Sequence, residues 1–197
     1  MITFLEGKLD TKQLARIVMN VSGVGYEVSI PLSSYDRLPL EGETCRILIY
    51  HHITEADQRL FGFCTEEERE MFVRLLSVSG VGPKLGIGAL SGLPVRELKS
   101  ALIAGDIKRI SSISGIGKKT AERIVVELRD KFSMTDQFEA IASPDAAPGD
   151  TRLHDAALAL AALGHKPEDA AKLMKAVSKK LTPQTTVEEL IRMALTR

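Results

Sequence analysis

The sequence has little of what marks many functional classes. Of its 197 residues only two, Cys45 and Cys64, are cysteines. They fall in no metal-ligand spacing and are too few for a disulfide framework, so both are expected as small buried hydrophobes in a reducing compartment. No apolar run approaches the ~20 residues of a membrane span. The opening MITFLEGKLD has neither a basic n-region nor an apolar core long enough for a secretory signal. Lys and Arg number 26, as do Asp and Glu, so no bulk field attracts a polyanion. A soluble, cytoplasmic protein without a membrane partner is the expectation.

Chemical motifs are equally scarce. His51-His52 ends a strand pattern with no cysteine or carboxylate at metal spacing, while His154 and His165 stand alone. No serine or cysteine carries a nucleophile motif. A Walker loop needs Gly-x4-Gly-Lys-Ser/Thr; SISGIGKKT places Ser112 where the first glycine belongs and Lys119 where the metal-binding hydroxyl belongs. No dinucleotide fingerprint is present either, because neither glycine-rich stretch follows a strand pattern. The expectation is no catalytic residue, no metal and no cofactor.

What the chain does have is a doubled motif. Residues 77–84 read SVSGVGPK and residues 112–119 read SISGIGKK, matching at an offset of 35. Both lie between helical patterns. Glycine permits positive φ and close approach, so Gly80-Val81-Gly82 and Gly115-Ile116-Gly117 read as turns of two helical hairpins, with Val81 and Ile116 turned inward as staples. Each turn offers backbone N–H groups backed by the N-terminus of the next helix, an anion site that needs no large net charge. Lys84, Lys118 and Lys119 add point charges, and Arg123 lies on the same helical face as Lys119. A third Gly-Val-Gly, at 23–25, is read as a simple strand turn. Charge distribution agrees: residues 65–132 carry twelve basic and nine acidic side chains, against six and eight before them and eight and nine after.

The flanking segments differ in period. Residues 1–64 show strand-like alternation in five runs, ITFLEGKLD, QLARIVMN, VGYEVSIP, TCRILIYHHI and QRLFGFC, with turn signals at Asp10-Thr11, Ser22-Gly23, Pro39–Gly42 and Glu55–Asp57. Five antiparallel strands in this length suit a small closed barrel of the OB type, with a sandwich fragment as the alternative. Helical patterns follow from Thr65 through Val78 and at 83–90, 94–104, 106–111 and 118–131. Residues 133–151 lose periodicity and read as a linker about 25 Å in typical span. Residues 152–197 predict three short helices with a thin core. The fold class is therefore α+β multidomain: barrel 1–64, tandem helix-hairpin-helix domain 65–132, linker 133–151 and three-helix module 152–197.

The combination of SGVGYEV, LFGF, GVGPKL, GIGKKTAERIVVEL and ALAALGHKPEDA resembles the RuvA family of bacterial Holliday junction branch migration subunits, over the whole chain. The resemblance implies structure-specific, sequence-independent binding of four-way DNA junctions in recombination and repair, by a non-catalytic subunit. It implies a homotetramer, or two tetramers face to face, a partner AAA+ ring ATPase that is RuvB-like, and a junction resolvase as a candidate further partner. Glu55 and Asp57, which the residues alone present as a solvated hairpin tip, become an acidic pin at the tetramer centre, with Ala56 between acids that the family carries adjacent. Leu160, Leu163 and His165 become the docking surface for the ATPase, His165 standing where an aromatic is expected. Two other classes compete: a helix-hairpin-helix repair nuclease or glycosylase, and a pure protein-interaction adaptor.

Overall fold

A computed structural model of the chain describes residues 1–132, 152–165, 167–178 and 185–195. The expected linker at 133–151 lies outside the described residues.

Five strands, β1 (Phe4–Gln13), β2 (Arg16–Val21), β3 (Val24–Ser29), β4 (Thr44–Ile53) and β5 (Gln58–Phe63), close into a barrel in the order β1-β2-β3-β5-β4. All neighbours are antiparallel except β3 and β5, which pair in parallel at Val28–Leu60 and Ser29–Phe61. This is the OB-type closure. The alternating residues Leu5, Leu9, Ile17, Met19, Val28, Ile47 and Ile49 fill the interior. Ser22 and Gly23, at φ 52 and 91, make the two-residue β2–β3 turn that matches strand twist.

The Asp10-Thr11 turn expected from sequence is not a turn. β1 runs through it to Gln13, and the register shifts between Leu9 and Thr11. The irregularity bends the strand while Leu9 stays buried opposite Met19, and the backbone of Leu9 also exchanges bonds with the 42–43 loop. The chain actually reverses at Leu14-Ala15. A four-residue helix, α1 (Leu32–Tyr35), was also not legible, being shorter than any periodicity window.

α2 (Glu66–Leu76) begins on an N-cap. Thr65 Oγ1 accepts from Glu68 N at 3.3 Å, and three glutamates occupy the positive end of the helix. Glu68 is only 3% exposed. Its Oε2 accepts from Ser34 Oγ of α1 at 2.7 Å and from Cys64 N at 3.1 Å, while Cys64 N also reaches Ser34 Oγ at 3.0 Å. This buried knot ties the end of the barrel to the first helix beyond it. Leu32 N adds a bond to Ser91 Oγ at 3.1 Å, from α1 to α3 (Pro83–Gly92). Phe72 of α2 packs its ring 5.0–5.4 Å from those of Phe63, Phe61 and Tyr50 on the barrel. One apolar core thus runs from β5 into the helices.

The helical domain continues with α4 (Val95–Ala104), α5 (Ile107–Ser111) and α6 (Lys118–Leu128), followed by a 3-10 turn at Arg129–Lys131. α4 ends on Gly105 in the left-handed region, and Asp106 caps α5 by accepting from Arg109 N at 3.0 Å. Three further helices, α7 (Arg152–Ala162), α8 (Pro167–Ser178) and α9 (Val187–Leu195), share a small core of Ala156, Ala157, Leu160, Ala170, Met174, Val177, Leu190 and Ala194.

Both cysteines are free and half-buried, and burial pushes each thiol above its ordinary range. Raised thiols are poor nucleophiles at neutral pH.

Candidate nucleic-acid interface

The two repeats fold into the same local structure, bond for bond. α2 ends with Ser77 N donating to Val73 and Arg74 carbonyls at 3.2 and 3.1 Å, and Ser77 Oγ donating to Arg74 O at 2.7 Å. α5 ends with Ser112 N donating to Lys108 and Arg109 carbonyls at 3.2 and 3.3 Å, and Ser112 Oγ to Arg109 O at 2.7 Å. Gly80 and Gly115 follow at φ 84 and 86, where a side chain is strained. Val81 N donates to Val78 O and Ile116 N to Ile113 O, both at 3.0 Å. Gly82 and Gly117 then start α3 and α6 in extended backbone, at φ −91 and −78.

Sequence dictates this shape. The serine closes the first helix through its own carbonyl-directed hydroxyl, the first glycine takes the left-handed conformation, and the apolar residue turns in. Val81 and Ile116 are 6% and 4% exposed. Any contact they make with a ligand outside the domain goes through their backbone. Gly80, Gly82, Gly115 and Gly117 are exposed, as are Lys84, Lys118 and Lys119. The first intrahelical bonds are Gly86 N to Gly82 O at 3.0 Å and Ala121 N to Gly117 O at 2.9 Å. The amides ahead of them, at Lys84 and Leu85 and at Lys118 to Thr120, stand at the helix ends with no intrahelical acceptor. Pro83, at the first helical position, has no N–H to offer. The second hairpin carries Lys118 there, so it presents one more donor and one more charge.

Gly86 sits inside α3 for a packing reason: a β-carbon there would lie 2.8 Å from Phe72 Cε2. Arg123 is exposed but engaged, donating from Nη1 to Ser79 O at 3.0 Å. Sequence reasoning placed it beside Lys119 and missed this tie. It also missed Glu127, whose Oε2 accepts from Ser79 N at 3.4 Å, although Arg123 and Glu127 are one helical turn apart and stand where the first repeat has glycines.

Glu55 and Asp57 occupy the β4–β5 turn, both exposed. The turn is pinned by a reciprocal pair: Thr54 N donates to Asp57 O at 2.9 Å and Asp57 N to Thr54 Oγ1 at 3.0 Å. The two acids are not equivalent. Asp57 Oδ2 accepts from Arg59 Nε in an ion pair, whereas among the described residues Glu55 has neither an ion-pair nor a hydrogen-bond partner. Asp57 and Arg59 also line an open polar groove of about 650 Å³ beside the β3–β5 seam, with Tyr26, Glu27 and His51.

In the terminal module, Leu163 is 65% exposed and His165 is half-buried, its N–H donating to Leu160 O at 3.1 Å. Leu160 itself is fully buried in the module's core, so of the three residues expected to dock a partner, Leu163 and His165 are the two at the surface. Among the described residues no group of three or more His, Cys, Asp or Glu side chains is arranged to hold a metal ion, and no helix is long and apolar enough to cross a membrane.

Three families match the sequence in succession: the RuvA N terminal domain over residues 1–62, the SAM-like helix-hairpin-helix tandem over 72–130, and the RuvA C-terminal domain over 151–197. Among curated relatives, the Holliday junction branch migration complex subunit RuvA of Geotalea daltonii is 43% identical, over 99% of this chain and 98% of its own length. Those of Syntrophotalea carbinolica and Chlorobaculum parvum are 41% and 44% identical, again over 99% of this chain and over 98% and 97% of their own.

Proposed function

Since this chain belongs to the RuvA family, we propose that it binds four-way DNA junctions as the non-catalytic DNA-binding subunit of a branch migration complex. The observation that carries the reading is the pair of hairpins built with the same bonds, each exposing glycine-flanked amides and lysines. The groups offered are those that hold phosphates: backbone amides at Gly80, Gly82, Gly115 and Gly117, helix N-termini, and the ammonium groups of Lys84, Lys118 and Lys119. None of them reads a base edge, so binding is independent of sequence and set by the shape of the junction.

In this reading the protein works as a homotetramer, alone or doubled into an octamer on DNA, in the cytoplasm. The β4–β5 turns meet where the strands cross, and their carboxylates repel phosphates there while the hairpins attract the arms. Two like charges ~6 Å apart cost roughly 2–3 kcal/mol at an effective dielectric of 20, before screening. That repulsion keeps the centre open and mobile. The terminal module, through Leu163 and His165, docks the ring ATPase that supplies the energy, and a junction resolvase acts on the same complex.

The test is a native gel with a synthetic four-way junction and a linear duplex of equal length, with unlabelled competitor and with magnesium. Preferential retention of the four-way substrate, uncut, is expected. Equal affinity for the linear duplex, or cleavage of either substrate, overturns the reading, and cleavage favours a helix-hairpin-helix nuclease or glycosylase.

A further inference from the structure

The repeats match through their turns and then diverge. At the offset of 35, Gly88 stands opposite Arg123 and Gly92 opposite Glu127. In one half, α3 lies close against the second hairpin: a β-carbon at Gly88 would come 3.8 Å from Ser114 O, and one at Gly92 3.1 Å from Ile113 Cγ2. In the other half, α6 reaches the first hairpin with long polar side chains. Arg123 Nη1 donates to Ser79 O at 3.0 Å, and Glu127 Oε2 accepts from Ser79 N at 3.4 Å. One turn further on, Lys131 Nζ donates to Ser77 Oγ at 3.2 Å. Ser79 and Ser114 are equivalent residues, so one loop is seated by close packing and the other is grasped by both backbone groups of a single serine.

We propose that Arg123 and Glu127 are positioning residues that clasp the first hairpin, fixing Ser79 so that the amides of Gly80 and Gly82 stay turned outward for phosphate. Arg123 is thereby assigned to the protein's own backbone, through one of its five N–H donors, and not to phosphate. Glu127 gains a reason to exist: a carboxylate beside an anion site is an electrostatic liability unless it holds the loop that forms the site. The proposal rests on the junction-binding reading, but half of its test needs no DNA.

The first measurement is hydrogen exchange at the amides of Ser79 and Val81, the two in this loop that have acceptors, in the free, full-length protein. Glu127→Ala and Arg123→Ala are expected to speed exchange there while amides of 124–128 stay as protected as in the parent, which separates a loosened loop from an unfolded domain. The second is junction affinity. Glu127→Ala removes a negative charge near phosphate and is nonetheless expected to weaken binding about three- to tenfold, the worth of one or two hydrogen bonds. Glu127→Gln, whose amide oxygen still accepts from Ser79 N, is expected to stay within about twofold of the parent. Arg123→Ala is expected to lower affinity with an unchanged log–log salt slope, where loss of a phosphate ligand would change it by about 0.9.

Unchanged exchange at Ser79 and Val81 overturns the clasp. So does Glu127→Ala binding as tightly as the parent or tighter, and a salt slope that falls with Arg123→Ala overturns its half. A parent protein that shows no junction preference defeats the functional reading instead, and the exchange result still decides the clasp.

Discussion

Phe72 and Gly86 are locked together across α2 and α3: the ring edge fills the space a β-carbon would need, which would lie 2.8 Å from Cε2 and 2.9 Å from Cδ2. Phe72 also touches Tyr50, Phe61 and Phe63 of the barrel. One side chain therefore sets the pitch of the first hairpin and its seat on the barrel.

Gly86→Ala forces that ring to shift, and overpacking of this kind costs about 1–3 kcal/mol. The melting temperature of Gly86→Ala is expected to fall by several degrees. Gly82→Ala, at φ −91 with open space around it, is expected to melt within about a degree of the parent because nothing obstructs its β-carbon. Equal melting temperatures for all three proteins contradict the packing account.

Lys84→Glu and Lys119→Glu each reverse a charge beside a turn. Junction affinity is expected to drop at least tenfold for each, as a phosphate contact is replaced by repulsion. The parent's affinity falls with salt at a log–log slope of about −0.9 per phosphate neutralised. A titration from 50 to 300 mM salt checks this, and an affinity indifferent to salt contradicts the phosphate assignment.

The two acids of the β4–β5 turn should differ in effect because Arg59 already pairs with Asp57. Glu55→Gln is expected to tighten static junction binding severalfold, screened as it is by salt. Asp57→Asn is expected to change it less, since the lost charge was largely balanced. Equal effects in a binding isotherm would mean the Arg59 pair breaks on DNA.

Glu68→Ala strips the acceptor from Ser34 Oγ in a buried site, while Cys64 N keeps its bond to Ser34 Oγ. Leaving such a buried donor unpaired costs about 1–3 kcal/mol. Chemical denaturation should show that loss, with Glu68→Gln recovering most of it. The Ser34→Ala, Glu68→Ala double variant should lose less than the sum of the singles, because they share one bond.

Much of the architecture was legible because it is local. Alternation over strands, the 3.6-residue rhythm of α2 to α6 and the offset of 35 need only neighbours along the chain. Asp10-Thr11 misled because a bulge and a turn use the same residues, and only the pairing partner tells them apart. Leu160 lies buried among the module's own helices, a placement the pattern along one helix does not give, because an apolar residue there can face its own module or a partner.

Sequence alone determined that this chain makes two equivalent glycine-hinged corners, since a left-handed glycine, an inward staple and a capping serine act within a few residues. Tertiary structure alone decided how those corners are held. Gly88 against Ser114, and Arg123 with Glu127 against Ser79, are partners 26, 44 and 48 residues apart. A side chain's reach over such separations depends on where the folded core sets two helices, which no local pattern encodes.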